Sequence, residues 1–294
     1  MKANSINFLS INYGLDIHKI SLYIMSHKYN TITSMIKKKM ITVIVPVLNE
    51  EANISSLISE IMASAQNCPI TEIIYIDDGS TDKTLEVLQE IQKTNPILRA
   101  ISHNIRCGQS QAMWTGIKAA QNNLIVTLDG DGQNDPADIP LLYQTYMRAK
   151  DTDHQIMVAG QRRKRQDNFG RRLSSRLANG IRRALLDDGT KDTGCSLKLF
   201  NREDYLNLPY FNHMHRYIPA LMKRAGVGIA HVEVNHRPRT QGQSKYTNFG
   251  RALVGVYDLI GVMWLQKRAS QHPTVTEVSP SHLSSQPLKK TANL

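Results

Sequence analysis

Cysteine is scarce in this chain of 294 residues: Cys68, Cys107 and Cys195 are widely spaced and form no C-x-x-C pair. That argues against a disulfide framework and against a zinc site of the usual spacing, and it fits a reducing cytoplasm. Long apolar runs are missing too. No window of about 18 uncharged apolar residues occurs, so no ordinary spanning helix is expected. Residues 1–39 lack the basic start, apolar centre and small-residue cleavage site of a secretory signal. Neither G-x-x-x-x-G-K-[ST] nor G-x-G-x-x-G after the first strand is present, so P-loop and dinucleotide-binding readings lose their main support. Internal repeats are absent as well.

What is abundant is positive charge. The balance of 36 Lys and Arg against 25 Asp and Glu gives a formal net charge of +11, which implies a polyanionic partner: nucleic acid, an anionic membrane face or a phosphorylated substrate. With 41% hydrophobic residues, the chain can bury one core of roughly 200 to 250 residues plus appendages.

Strand and helix patterns alternate from residue 41 onward. ITVIVPV reads as a strand. EEANISSLISEIMASA follows as a helix with Ile54, Leu57, Ile58 and Ile61 on one face, and EIIYID is the next strand. DKTLEVLQEIQK, LRAIS, GQSQAMWTGIKAAQ and NLIVTLD continue the alternation, which predicts an α/β layer fold around a largely parallel sheet. QIMVAG, a basic helix over 168–186, CSLKLF, a helix near RYIPALMKRAG and IAHVEV follow. The tail over 269–294, rich in Ser, Pro, Thr and Gln, has no apolar period and reads as disordered. Residues 1–39 differ from the rest, and the reading is that Met40 or a nearby Met is the functional start, with the preceding extension dispensable.

Within LIVTLDGDGQNDP two aspartates, Asp129 and Asp131, flank Gly130. A calcium loop would need glycine at Asn134 and a bidentate glutamate at Pro140, so that reading fails. VPVLNE, ending in Glu50, and IDDGSTD, with Asp77, Asp78 and Asp82, add acids at two other strand ends. In a parallel sheet these ends share one edge, where open α/β sheets bind ligands. Carboxylates gathered there on a basic protein suit sugar hydroxyls or a divalent ion with oxygen ligands, Mg²⁺ or Mn²⁺, which can bridge them to a diphosphate. The plainer alternative is helix capping, a natural reading for Asp82.

VPVLNEEAN, IDDGSTDKT, DGDGQNDP, AGQR and RTQGQSK, in this order, resemble the inverting family-2 glycosyltransferases of the GT-A fold. The nearer likeness is to the branch of dolichol-phosphate mannose synthase and bacterial polyprenyl-phosphate glycosyltransferases, over about residues 40–248. The resemblance implies that Pro46, Leu48, Glu50, Ile76 and Asp78 hold the nucleotide of a GDP- or UDP-linked donor. It implies that Asp129, Gly130, Asp131 and Gln133 hold metal and diphosphate. The pattern R-x-x-G-x-S-K falls on Arg239, Gly242, Ser244 and Lys245, whose two cations would face the donor diphosphate. Arg162 after AGQ, with Arg171 and Ser175 in FGRRLSS, would meet a lipid phosphate; for Arg162 the bland alternative is a solvated basic loop. The sequence departs from the mannose synthases at Gly130, where they carry alanine, and has Cys195 where glycine is usual.

In such a transferase the metal, Arg239 and Lys245 would stabilise the departing diphosphate. A hydroxyl acceptor would need a base, whereas a phosphate acceptor is already anionic. His213 and His215 read as packing or surface residues, and no other group announces itself as a base.

From Gln161 to Arg183 nine basic residues face one acid, around a stripe of Phe169, Leu173, Leu177, Ile181 and Leu185, with Arg172, Arg176, Arg182 and Arg183 on other faces. An anionic headgroup surface would reward such charge. The segment 249–268, with Trp264, Lys267 and Arg268, reads as an amphipathic membrane-interface helix after a domain spanning 40–248. The resulting expectation is sugar transfer to a polyprenyl phosphate, as a peripheral protein at the cytoplasmic membrane face, with no nucleic acid involved. Transfer to a saccharide or lipid hydroxyl, or a basic nucleic-acid-binding module, are the competing readings.

Overall fold

The computed structural model describes residues 40–150, 155–163, 180, 182, 185–186, 188–238 and 248–268. Seven strands form one sheet: β1 (Ile41–Val47), β2 (Ile70–Asp77), β3 (Leu98–Ser102), β4 (Leu124–Thr127), β5 (Ile156–Arg162), β6 (Lys198–Asn201) and β7 (Gly228–Val234). Around it lie α1 (Glu51–Ser64), α2 (Thr84–Gln92), α3 (Gln109–Ala119), α4 (Ile139–Lys150), α5 (Arg202–Leu206), α6 (Ile218–Arg224) and α7 (Asn248–Lys267). The mostly parallel sheet expected from the alternation is present.

The central strands are buried on both faces, which is why they read as nearly continuous apolar runs. Successive side chains point to opposite sides. Val43, Val45, Ile73, Tyr75 and Val126 pack beneath α1, α2 and α4 through Ile54, Leu57, Ile61, Leu88, Ile139 and Leu142. Ile44, Ile74, Ile76, Ile125 and Phe200 face the other layer, built by α3, α5, α6 and Val262 of α7.

Strand order is β3-β2-β1-β4-β6-β5-β7. The chain builds outward from β1 to β2 and β3 on one side and then restarts with β4 on the other, so the order reverses between β1 and β4. A crevice opens outside the carboxyl ends of strands at such a point. Two signature loops, those after β1 and β4, flank it. The antiparallel member is β6, whose Lys198 is opposite Thr127 at the end of β4. Running backwards, β6 delivers the loop before it to the same edge, an arrangement the simple alternation did not foretell.

The basic stretch over 168–186 lies largely outside the described residues, as do residues 1–39 and 269–294. Where it is described it corrects the expected stripe. Leu185 is exposed, while Arg182 and Leu186 are buried four residues apart on one face. Arg182 sends both terminal nitrogens to Asp188 Oδ2, at 2.9 and 2.6 Å, so this arginine serves an internal ion pair and not an outer basic face. In α7, Leu259, Val262, Met263 and Leu265 pack on the domain, whereas Val256, Tyr257, Ile260 and Trp264 are exposed. No helix among the described residues is long and apolar enough to cross a membrane.

Helix α3 approaches the sheet closely at Gly116, where an added Cβ would lie 2.4 Å from Ile76 Cδ1 and 3.1 Å from Ile44 Cγ2. Gly116→Ala should therefore overpack this layer and cost about 1–3 kcal/mol. Urea unfolding measures it; an unchanged midpoint would contradict the packing described.

Candidate active site

The edge is assembled from loops that hydrogen-bond to one another. After β1, Asn49 takes a left-handed conformation (φ 51°), and its side chain accepts from Thr81 N at 2.7 Å. In return, Asn49 N donates to Ser80 Oγ at 2.8 Å and Glu50 N to Thr84 Oγ1 at 2.9 Å. Asp82 accepts from Thr84 N at 3.0 Å and from Glu51 N at 3.4 Å. Burial works against its ionisation, but the bonds from Thr84 and Glu51 outweigh it and hold the carboxyl below its ordinary value. Asp82 thus stands one residue before the N-cap position of α2, Lys83, and bonds the first backbone N–H of that helix. Glu50 Oε2 accepts from Asn53 Nδ2 at 2.7 Å in the first turn of α1.

Asp78 is buried and fully engaged. His103 Nδ1 lies 2.8 Å from its Oδ1, Cys107 N donates to Oδ1 at 2.9 Å, and Gly108 N donates to Oδ2 at 2.7 Å. The carboxylate thus ties the end of β2 to the loop that enters α3. Gly108 sits there at φ 92°, a conformation that side-chain-bearing residues avoid. Pro46 and Leu48 lie at the crevice end of β1, half-buried. Ile76 is the penultimate residue of β2, and its side chain is fully buried against α3.

Past β4 the second loop carries Asp129, Gly130, Asp131 and Gln133. A Cβ at Gly130 would meet Val47 Cγ1 at 2.4 Å and Pro46 O at 3.2 Å, so the two aspartates sit on a backbone pressed against β1. That explains the smallest residue here. Asp129 Oδ1 accepts from Gln109 Nε2 at 2.8 Å, and Asp131 Oδ1 from Gln133 N at 3.2 Å. Burial, then the charge of Asp131, push the Asp129 carboxyl up to about 6; a hydrogen bond from Ser196 and the charges of Lys198 and Arg162 oppose this only in part.

Two like charges at an edge that raises the pKa of one of them leave negative charge for a cation to neutralise. The donor atoms on offer, two carboxylates and the Gln133 amide, are all oxygen, the set preferred by Mg²⁺ and Mn²⁺. The residues fit such an ion.

The remaining neighbours come from the loop before β6 and from a short helical turn over Met214–Arg216. Lys198 is buried and its Nζ donates to the carbonyls of Cys195 and Thr193. Burial lowers its affinity for the proton, while the nearby Cys195, Asp129 and Asp192 oppose that shift. Arg162, expected to meet a phosphate, is the last residue of β5 and grips Asp192 with two bonds of 2.6 Å. It is no solvated loop residue. His215 and Arg216 line a cavity of about 190 Å³ together with Asp129, Gln109 and Lys198. His213 instead pairs with Asp258 of α7 at 3.3 Å.

Beyond β7 the chain runs along the aspartate loop. Arg237 N donates to Gln133 O at 2.9 Å, and its guanidinium bonds Glu60 at 2.7 Å and Asp135 at 2.6 Å. Arg239, Lys245, Arg171 and Ser175 lie outside the described residues.

With this geometry in place, the comparisons with known proteins give the class. The model of "Glycosyl transferase family 2" matches residues 42–208, and the chain belongs to that family. Its fold is the GT-A type. The dodecaprenyl-phosphate galacturonate synthase of Rhizobium johnstonii is 34% identical over 234 residues, covering 77% of this chain and 67% of the relative. An undecaprenyl-phosphate 4-deoxy-4-formamido-L-arabinose transferase of Aeromonas hydrophila is 31% identical over 228 residues, covering 77% and 66%. The chain thus spans about two thirds of these relatives' length. Among solved structures, mannosyl-3-phosphoglycerate synthase from Rubrobacter xylanophilus superposes with a TM-score of 0.62 at 18% identity, covering 83% of this chain and 79% of that one. Glucosyl-3-phosphoglycerate synthase from Mycobacterium tuberculosis, in complex with Mn²⁺, UDP and glucosyl-3-phosphoglycerate, gives 0.60 at 20% identity, covering 79% and 81%.

The raised Asp129 pKa has a sign that can be checked. The folded state holds this proton more tightly than the unfolded chain, whose value is near 3.8. The associated stability is full below that value and is lost as pH rises through about 6. Metal-free protein should therefore gain urea resistance from pH 7.5 to 5, by more than Asp129→Asn does. Added Mn²⁺ should raise Tm at pH 7.5 and do so less at pH 5. Equal Mn²⁺ shifts in wild type and Asp131→Ala would contradict the metal assignment.

Proposed function

We propose that this chain moves a sugar, with inversion, from a GDP- or UDP-linked donor to a polyprenyl phosphate at the cytoplasmic face of a membrane, using Mg²⁺ or Mn²⁺. The observation that carries the reading is the carboxylate pair at the β1/β4 crevice, beside a cavity in which Asp129 is the one carboxylate among the described lining residues. Asp129 is already committed to Gln109 and Asp131. A hydroxyl acceptor would need a further base, whereas a phosphate oxygen arrives ionised and needs only placement. The relatives named for polyprenyl-phosphate chemistry support this choice of acceptor. Their sugars differ, a uronate in one and a formamido-pentose in the other, so the sugar is not carried over from them.

In this reading Asp129, Asp131 and Gln133 would hold the metal, which when bound supplies charge for the departing diphosphate. Pro46, Leu48 and Glu50 would line the nucleotide site. Asp78 would shape it by fixing the 103–108 loop, and Ile76 would act only as core beneath it. Arg239 and Lys245 would close on the diphosphate, and Arg171 and Ser175 would receive the lipid phosphate. Arg162 would hold Asp192 in place beside them. The exposed Tyr257, Ile260 and Trp264 of α7, with Arg268 6.0 Å above the Trp264 ring, would lie in an anionic membrane interface.

Incubation with radiolabelled nucleotide sugars, Mn²⁺ and a short polyprenyl phosphate, followed by lipid extraction, tests the proposal. Label should enter lipid with at least one donor, Asp131→Ala should lower transfer by about 100-fold or more, and Arg171→Ala should chiefly raise the KM for the lipid. Label in no lipid with any donor would overturn the acceptor assignment.

A further inference from the structure

Resting on that reading, the cavity beside Asp129 narrows the class of donor. It measures about 190 Å³, below the ~300 Å³ at which pockets for drug-sized ligands begin: room for one sugar ring and not for a lipid chain. Its walls combine Thr127 and Ser196 with three basic side chains, Lys198, His215 and Arg216. Lys198 uses two bonds on carbonyl oxygens, and an ammonium has a third to give. The ring of His215 is oriented by Ser110 Oγ, 2.8 Å from Nδ1. Arg216 has no side-chain hydrogen bond or ion pair among the described residues, although it is half-buried.

A half-buried guanidinium with no side-chain partner among the described residues is well placed to receive an arriving anion. Asp129, the one carboxylate among the described lining residues, is turned to Gln109 and is assigned above to the metal. We infer that the cavity selects a donor sugar carrying its own carboxylate, a hexuronic acid, with Arg216 as the specificity residue and His215 and Lys198 as supporting donors. A neutral hexose would offer Arg216 only hydroxyl acceptors, a weaker return than a carboxylate, which discriminates against it even where the ring fits. The same oxyanion chemistry could come from the acceptor's phosphate, and the two sources separate experimentally because the donor binds without lipid.

The test uses matched donors differing at C6: UDP-galactose and UDP-galacturonate, UDP-glucose and UDP-glucuronate, GDP-mannose and GDP-mannuronate. Binding to the full chain with Mn²⁺ is measured by calorimetry without lipid, and transfer is measured with polyprenyl phosphate. In the pair that is accepted, the uronate should exceed the hexose by roughly 10- to 100-fold, as a charge-assisted hydrogen bond provides. Arg216→Met should abolish that preference by weakening the uronate, Arg216→Lys should restore part of it, and unchanged Tm values would exclude misfolding as the cause. Equal handling of hexose and uronate by the wild type would overturn the inference while leaving polyprenyl transfer standing. An Arg216→Met variant with normal donor binding but a raised KM for lipid phosphate with every donor would overturn it in favour of the acceptor. If no donor of any pair is bound or transferred, the proposed function itself fails and the inference with it.

Discussion

The burial of Asp129 beside a second carboxylate, Asp131, is the constraint around which the rest of the edge is arranged. Both carboxylates stand on a loop pressed against β1 at Gly130, and the first is held where burial and its neighbour disfavour its charge. A fold selected for stability alone would not keep such a pair. Here Gln109, Ser196, Lys198 and Arg162 moderate the cost without removing it. Incomplete compensation of this kind is what a binding site for a divalent cation requires, since an edge that neutralised its own acids would have no affinity left to give.

The supporting bonds explain why so many loops converge. The β1 and β2 loops exchange side-chain-to-backbone bonds through Asn49, Ser80, Asp82 and Thr84. Asp78 anchors the entry to α3, which in turn places Gln109 on Asp129. On the far side Asn134 accepts from Ser196 Oγ at 2.6 Å, and Arg237 ties the segment after β7 to α1 and Asp135. Asp129 is therefore held from two other segments, through Gln109 and Ser196, while Asp131 is held within its own loop by Gln133 N.

Much of this was legible in the sequence where the signal is local. The apolar run of β1, the helical spacing of Ile54, Leu57 and Ile61, and the acids at three strand ends depend on neighbours a few residues away, and period and composition register them. Lys198, His215 and Arg216 left no such mark. They reach Asp129 because β6 runs antiparallel beside β4 and because a turn before α6 closes over α3, both of them products of long-range pairing. Lys198 reads locally as one polar residue in a strand, and His215 as one of two surface histidines. Arg162 and Arg182 were legible as charge but not as ion pairs, since Asp192 and Asp188 become their partners only once the chain has folded. Ile76 shows the converse: its place beside a signature aspartate suggested the site, while the alternation of the strand turns it into the core.

The most direct measurement of the central claim is the anomalous scattering of Mn²⁺ in crystals of the protein grown with a nucleoside diphosphate. The account predicts a single strong peak at the Asp129 and Asp131 pair. A peak at the Asp78, His103 and Cys107 side chains instead, or none at the aspartate pair with nucleotide bound, would contradict it.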